Sequence, residues 1–238
     1  MVRATNYVSG HLARRFGVLT LLIVSILWSC KDDFEPAKTD YYPVEENARR
    51  IYKVTENIYA VNAEPIKKTY YLNEQIINVS QSGEGTEFLI SRNISNTITG
   101  DYQSESVYKG SRNPNLLMIK EGNIDFVKMI FPVSDGLTFN PNKYNSLPEE
   151  SSKCQITEST FSISGFSSGF LLAVVEKNDS SLIDRKLKYA RYANGIGMIE
   201  FRDKDLEYCQ VTPECIGKGI ISSGKDIKYE LVSLVPGK

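Results

Sequence analysis

Thr69-Tyr-Tyr-Leu-Asn-Glu-Gln-Ile-Ile-Asn-Val79 is crowded with aromatic and β-branched residues, and Phe88-Leu-Ile-Ser-Arg-Asn-Ile94 follows it across Ser82-Gly-Glu-Gly85. Residue types that fill a pleated, half-buried surface, interrupted by glycines free to take a left-handed turn, spell a β-hairpin. In the second arm Phe88, Ile90 and Ile94 fall on one face at a period of two, as side chains alternate along a strand. The same grammar repeats along the chain. Leu116-Leu-Met-Ile119 runs through Glu121-Gly-Asn123 into Ile124-Asp-Phe-Val-Lys-Met-Ile-Phe131. Further strands are expected near 153–163, 169–176, 183–193, 197–208 and 226–235, the last with Ile227, Tyr229 and Leu231 on one face. A turn or two over 43–50 is the helix candidate, with Glu45 and Glu46 early, where the helix dipole favours acids. Many short strands at regular spacing predict an all-β domain, an antiparallel sandwich or a curved, partly closed barrel. No repeat of fixed period is visible.

Composition fits a globular chain: 41% hydrophobic and 24% charged over 238 residues. The long apolar run is Phe16-Gly-Val-Leu-Thr-Leu-Leu-Ile-Val-Ser-Ile-Leu-Trp28, after a segment carrying Arg3, Arg14 and Arg15 and no acid. Thirteen residues fall short of the ~20 that a spanning helix needs. A basic start, a short apolar core and a small residue before a cut site are the parts of a secretory signal, here expected over 1–29. The alternative is an uncleaved anchoring helix.

Leu27-Trp28-Ser29-Cys30 resembles the lipobox of bacterial lipoproteins, with Trp28 where a smaller residue is usual. The resemblance implies that Cys30 becomes the lipid-bearing first residue of the mature protein. Each buried methylene contributes ~0.8 kcal/mol and one acyl chain holds only marginally, so several chains are needed to anchor firmly at a membrane. The next residues, Lys31, Asp32, Asp33, Phe34 and Glu35, resemble the acidic export signal of Bacteroidetes surface lipoproteins. That implies an outer-membrane protein facing the cell exterior. As plain sequence, residues 30–40, with Pro36, read as a charged tether, leaving 41–238 as one domain.

Beyond residue 29 the chain holds 25 basic and 29 acidic residues, a net charge of −4 with no basic stripe, so nucleic acid is not an expected partner. The lone His11 and lone Trp28 both lie in the signal. Without histidine there is no Ser-His-Asp triad, no Cys-His pair and no histidine zinc site. A mature-chain enzyme would have to work with carboxylates, Lys, Tyr or a calcium-type ion. Asp203, Asp205 and Glu207 are the weak calcium candidates: at i, i+2 and i+4 of an expected strand they share a face, but Lys204 intervenes and the plain reading is a solvated outer face. No cofactor is expected.

Cys209-Gln-Val-Thr-Pro-Glu-Cys215 suggests a cystine across the base of a hairpin connection, allowed in an exported protein. Cys154 is then the odd residue, expected in a buried strand. Pairings of Cys154 with Cys209 or Cys215 stay open.

Three stretches, Tyr42-Pro-Val44, Ile130-Phe-Pro-Val-Ser-Asp-Gly-Leu-Thr-Phe-Asn-Pro-Asn-Lys-Tyr-Asn145 and Tyr192-Ala-Asn-Gly-Ile-Gly-Met-Ile199, resemble in order and spacing a set of Bacteroidetes lipoproteins of unknown function. Phe139 stands where that pattern usually has Trp, and Glu46-Asn47 where it usually has Gly-Asn. The resemblance implies an all-β domain and an envelope location, and no mechanism. Gly195 and Gly197 read as a hairpin turn, because Met198-Ile-Glu-Phe201 continues as strand where a phosphate loop would need a helix. Asn140, Asn142, Asn145 and Gly136 read as residues satisfying a long loop through Asx turns.

The function expected from these features is a non-enzymatic, membrane-anchored binding or accessory module. A protein, a glycan or an apolar ligand are the open partner classes. The alternatives are a carrier of an apolar ligand in a curved sheet and a carboxylate-based hydrolase.

Overall fold

The computed structural model describes residues 40–83 and 85–237. The signal, Cys30 and the acidic stretch Lys31, Asp32, Asp33, Phe34 and Glu35 lie outside the described residues.

Among the described residues every regular element is a strand. In chain order they are β1 (Arg49–Tyr59), β2 (Ile66–Ser82), β3 (Gly85–Ser95), β4 (Gln103–Arg112), β5 (Leu116–Glu121), β6 (Ile124–Ile130), β7 (Thr138–Phe139), β8 (Ser152–Ile163), β9 (Phe166–Ser180), β10 (Asp184–Ala193), β11 (Gly197–Tyr208) and β12 (Ile221–Val235). They form one antiparallel sheet in the order β6-β5-β4-β3-β2-β1-β12-β11-β10-β9-β8-β7. Two six-stranded meanders are thus stitched together in the middle, where β1 pairs with β12. The free edges are β6 and β7, consecutive in sequence. They are drawn together by the loop after β7: the Val127 N–H donates to the Pro141 carbonyl at 2.9 Å, and the Asn145 side-chain amide donates to the Asp125 carbonyl at 2.8 Å. A sheet this wide must curl or split. This one curls into a nearly closed barrel, helped by bulges in several ladders, including Ile51/Tyr52, Ile76/Asn78 and Arg191/Tyr192, each of which bends its strand.

The curved, partly closed alternative is therefore the one realised, and the core is the inside of the curl. One apolar cluster gathers Phe88, Leu117, Met129, Leu172 and Tyr192. A second joins Tyr52, Val54, Leu72, Ile196 and Leu234.

The helix expected over 43–50 is not there. Residues 45–48 make a single turn closed by the Ala48 N–H on the Glu45 carbonyl, and Asn47 takes a left-handed conformation at φ 66°. Backbone bonds Asn47 N–H to Ile76 carbonyl (2.8 Å) and Ile76 N–H to Ala48 carbonyl (3.0 Å) tie the segment to β2. A helix of two turns is marginal on its own, and the sheet ladder captures these backbone groups instead.

Candidate functional site

A cavity of about 250 Å³ lies inside the curl. Its wall is built from inward positions of both meanders. On β2 the inward alternation reads Leu72, Glu74, Ile76, and on β3 it reads Phe88, Ile90, Arg92. Glu74 and Arg92 are direct ladder partners, so a carboxylate and a guanidinium meet inside the sheet. Arg92 Nε donates to Glu74 Oε1 at 3.1 Å. Arg92 Nη1 donates to the Tyr108 hydroxyl at 2.7 Å and Nη2 to the Tyr229 hydroxyl at 3.5 Å. The guanidinium also sits 4.8 Å from the centre of the Tyr108 ring, a cation–π contact.

Two more pairs line the same space. Lys128 Nζ lies 2.7 Å from Glu121 Oε1, and Lys188 Nζ lies 2.5 Å from Glu176 Oε2. Burial lowers the Lys188 pKa, but Glu176, helped by Asp203 and Glu121, outweighs it and holds the pKa above the ordinary lysine value. Burial pushes the Glu74 carboxyl up, more than Arg92 and Arg50 pull it down.

Five tyrosines complete the wall: Tyr42, Tyr52, Tyr108, Tyr192 and Tyr229. The Tyr52 hydroxyl donates to the Met198 carbonyl at 3.1 Å. The hydroxyls of Tyr42 and Tyr192 have no hydrogen-bond partner among the described residues, and burial drives both well above the ordinary tyrosine range, so they stay protonated. Ser152, at the start of β8, is fully buried in this wall, and its Oγ has no partner among the described residues.

The floor is fixed by the two motif stretches. Arg50 Nε donates to the Ile196 carbonyl at 2.8 Å. Gly197, at φ 99°, leaves that space open: a Cβ there would lie 2.7 Å from Arg50 Nε. The Gly195 N–H donates to the Asp40 carbonyl at 2.7 Å, and Asp40 pairs with Arg112 at 2.8 Å. Gly195 and Gly197 thus form the expected positive-φ hairpin turn, which also docks the incoming chain. The asparagine loop behaves as read: Asn140 Oδ1 accepts from the Asn142 N–H, and Asn145 Oδ1 from the Leu147 N–H. Its further role, sealing the barrel through Asn145 onto Asp125, is not visible in the sequence.

The weak calcium candidates are not brought together. Asp203 pairs with Lys225 at 2.6 Å and Glu207 accepts from the Ser223 hydroxyl at 2.8 Å, while Asp205 is exposed on β11. No group of three or more His, Cys, Asp or Glu among the described residues is placed to share a metal ion. Cys209 and Cys215 are joined by a disulfide in the loop between β11 and β12, and Cys154 is a free, buried thiol on β8. That loop belongs to a group. By the ladder registers, the connections 60–65, 181–183 and 209–220 leave the sheet at one level, at the end away from Asp40. They and their flanks expose Val61, Ile66, Leu182, Val211, Ile216 and Ile220.

Sequence reasoning missed Glu74, Arg92, Ser152 and the paired lysines. The signal was present for two of them: within Leu72-Asn-Glu-Gln-Ile76 and Phe88-Leu-Ile-Ser-Arg92, a charge stands at a position that period two assigns to the inner face.

No protein-family model matches the chain, and no curated protein matches it. Two solved structures are similar in shape. One is a protein of Bacteroides fragilis NCTC 9343, assigned as exported and with a YmcC-like fold: TM-score 0.43, 10% identity, 83% of this chain and 99% of that one covered. The other is a protein of Parabacteroides distasonis ATCC 8503, assigned as a lipoprotein: TM-score 0.42, 9% identity, with the same coverage of 83% and 99%.

Proposed function

We propose that the protein is an exported, lipid-anchored binding module without catalytic activity, and that the interior of its β-barrel holds a small polar ligand. One observation carries the second half: three partly buried cation–carboxylate pairs line a single cavity inside the curl. Such pairs are a poor way to stabilise a core, since desolvating both charges offsets most of their attraction and apolar residues of similar volume often do as well. Their presence is better explained by an occupant that needs polar partners. The same charges oppose a fatty or other apolar occupant, which would leave them facing hydrocarbon. The anchor rests on the sequence around Cys30 and on Lys31, Asp32, Asp33, Phe34 and Glu35, which support attachment to the outer membrane facing the exterior.

The carboxylate-based hydrolase is favoured by one feature: burial raises Glu74 toward the behaviour of a general acid. Against it, Arg92 already donates to that carboxyl. Native mass spectrometry of the full chain, incubated with a mixture of polar small molecules, separates the readings. A polar compound retained unaltered supports a binding module. Turnover of a retained compound, abolished by Glu74→Gln, supports the hydrolase. Retention of fatty acids alone removes the polar reading.

A further inference from the structure

We infer that the cavity takes an uncharged, polyhydroxylated ligand of about one sugar ring, held by hydroxyl-to-hydroxyl bonds at Ser152, Tyr42 and Tyr192. The inference rests on the polar-ligand reading and narrows it to a chemical class.

The argument is a matter of which wall groups remain unsatisfied. Three of the four cations in the wall face carboxylates, Arg92 with Glu74, Lys128 with Glu121 and Lys188 with Glu176, while Arg50 is held by the Ile196 and Pro43 carbonyls. An anionic ligand at any of the three pairs would share its cation with the carboxylate already there and sit beside that second negative charge. A cationic ligand meets the same obstacle in reverse. What is left over is neutral. Ser152 Oγ is fully buried with no partner among the described residues, and a buried hydroxyl left unbonded costs more than one never placed there. The hydroxyls of Tyr42 and Tyr192 are likewise unpartnered among the described residues. All three are donors and acceptors at once, which suits a ligand whose own groups are hydroxyls. The rings of Tyr42 and Tyr192 stand with centroids 6.4 Å apart and planes at 59°. Paired carboxylates retain free lone pairs, so Glu74, Glu121 and Glu176 can accept from ligand hydroxyls without losing their cations. The volume of about 250 Å³ falls just under the ~300–1,000 Å³ of sites that take drug-sized ligands. That admits one ring inside the curl.

The test is thermal unfolding and saturation-transfer NMR on the full chain in detergent. The neutral probes are glucose, galactose and N-acetylglucosamine; glucuronate, inorganic phosphate and decanoate are the counter-probes. A neutral sugar is expected to raise the melting temperature at millimolar concentration. Ser152→Ala, which removes one oxygen and leaves the backbone pairing to Phe139 intact, is expected to weaken that sugar about three- to tenfold, as loss of one hydrogen bond does, and Tyr192→Phe by a similar factor. Glucuronate or phosphate binding in place of every neutral sugar overturns the uncharged class while sparing the polar-ligand reading. Decanoate alone overturns both. No response to any probe, or a sugar that binds Ser152→Ala and Tyr192→Phe as tightly as the parent protein, also overturns the inference.

Discussion

Arg92 faces Glu74 directly across the β2–β3 ladder, Nε to Oε1 at 3.1 Å, with only 11% and 21% of the two side chains exposed. Tyr108 and Tyr229, from strands on either side, bond the remaining guanidinium nitrogens. Strands from both meanders are thereby tied at one point inside the sheet. The arrangement explains why a charge can occupy a position that alternation reserves for the core.

Removing one partner should therefore cost far more than removing both. Arg92→Met leaves Glu74 buried and unpaired, and is expected to destabilise by about 3 kcal/mol; the double variant Arg92→Met/Glu74→Leu should cost less than either single change. Urea unfolding of the four proteins measures the cycle. The pH dependence has a definite sign. Burial raises Glu74, so folding is favoured by its protonation: that contribution is largest below the ordinary glutamate value of ~4.3 and is lost as pH rises through the higher folded value. Arg92→Met should thus regain stability between pH 7 and pH 5. Costs that simply add, or a loss on acidification, contradict the pair.

How far the fold was readable shows in particular strands. The expected strand at 197–208 matches β11, because Met198-Ile-Glu-Phe201 follows an evident glycine turn. β4 carries little strand signal: Gln103-Ser-Glu-Ser-Val-Tyr-Lys-Gly110 holds few apolar residues, and its inward position at Gly110 is a gap that the Phe88 ring fills from β3. The helix expected over 43–50 overlaps the first residues of β1, whose buried face, Arg50 and Tyr52, depends on partners 146 residues away in sequence. The site was legible only as anomalies. Glu74 and Arg92 break the apolar alternation, but the closure of the sheet that turns two anomalies into a cavity is a tertiary fact.

Gly195 and Gly197 separate two costs. Both take positive φ, at 74° and 99°. Among the described residues a Cβ on Gly195 meets nothing within 4 Å, whereas on Gly197 it lies 2.7 Å from Arg50 Nε. Gly195→Ala should cost only the conformational penalty, about 1 kcal/mol. Gly197→Ala should cost that and more, because Arg50 must leave the Ile196 carbonyl. Equal melting temperatures for the two variants would mean that Arg50 moves freely.

Cys154 should be chemically silent in the folded protein. It is completely buried, and burial, with Asp135 adding to it, pushes its thiol up to about 11. The thiolate is the reactive form, so iodoacetamide at pH 8 should label it only after denaturation. The sign for stability follows. The folded state keeps the thiol neutral while the unfolded chain ionises near ~8.5, so this contribution holds below that pH and is lost as pH rises toward about 11. Rapid labelling of native protein at pH 8 would refute the burial.

Cys30 is expected to carry the anchor. Cys30→Ser should abolish metabolic palmitate labelling and release the protein from membranes, while Asp32→Ala with Asp33→Ala should leave it lipidated but protected from protease added to intact cells. Membrane association that survives Cys30→Ser would favour the uncleaved helix.

The cystine Cys209–Cys215 closes a short loop at the end of the barrel remote from Asp40, so its loss should be local. In the chain-entropy view, stabilisation grows with the length of loop closed, and a six-residue separation contributes on the order of 2 kcal/mol. The ladders beneath are long and independent of it: β11 pairs with β12 down to Glu200 and Glu230. Cys209→Ser with Cys215→Ser is therefore expected to lower stability by about that amount and to leave the cavity intact. Sugar-induced stabilisation, if present in the parent, should persist in the variant. Val211, 85% exposed within the loop, should be replaceable by Ser at a cost within about 0.5 kcal/mol, since nothing packs on it. Peptide mapping under non-reducing conditions gives the pairing directly. A cross-linked peptide containing Cys154 would assign the bond to distant strands instead, and reduction would then loosen the wall beside Ser152 along with the tip.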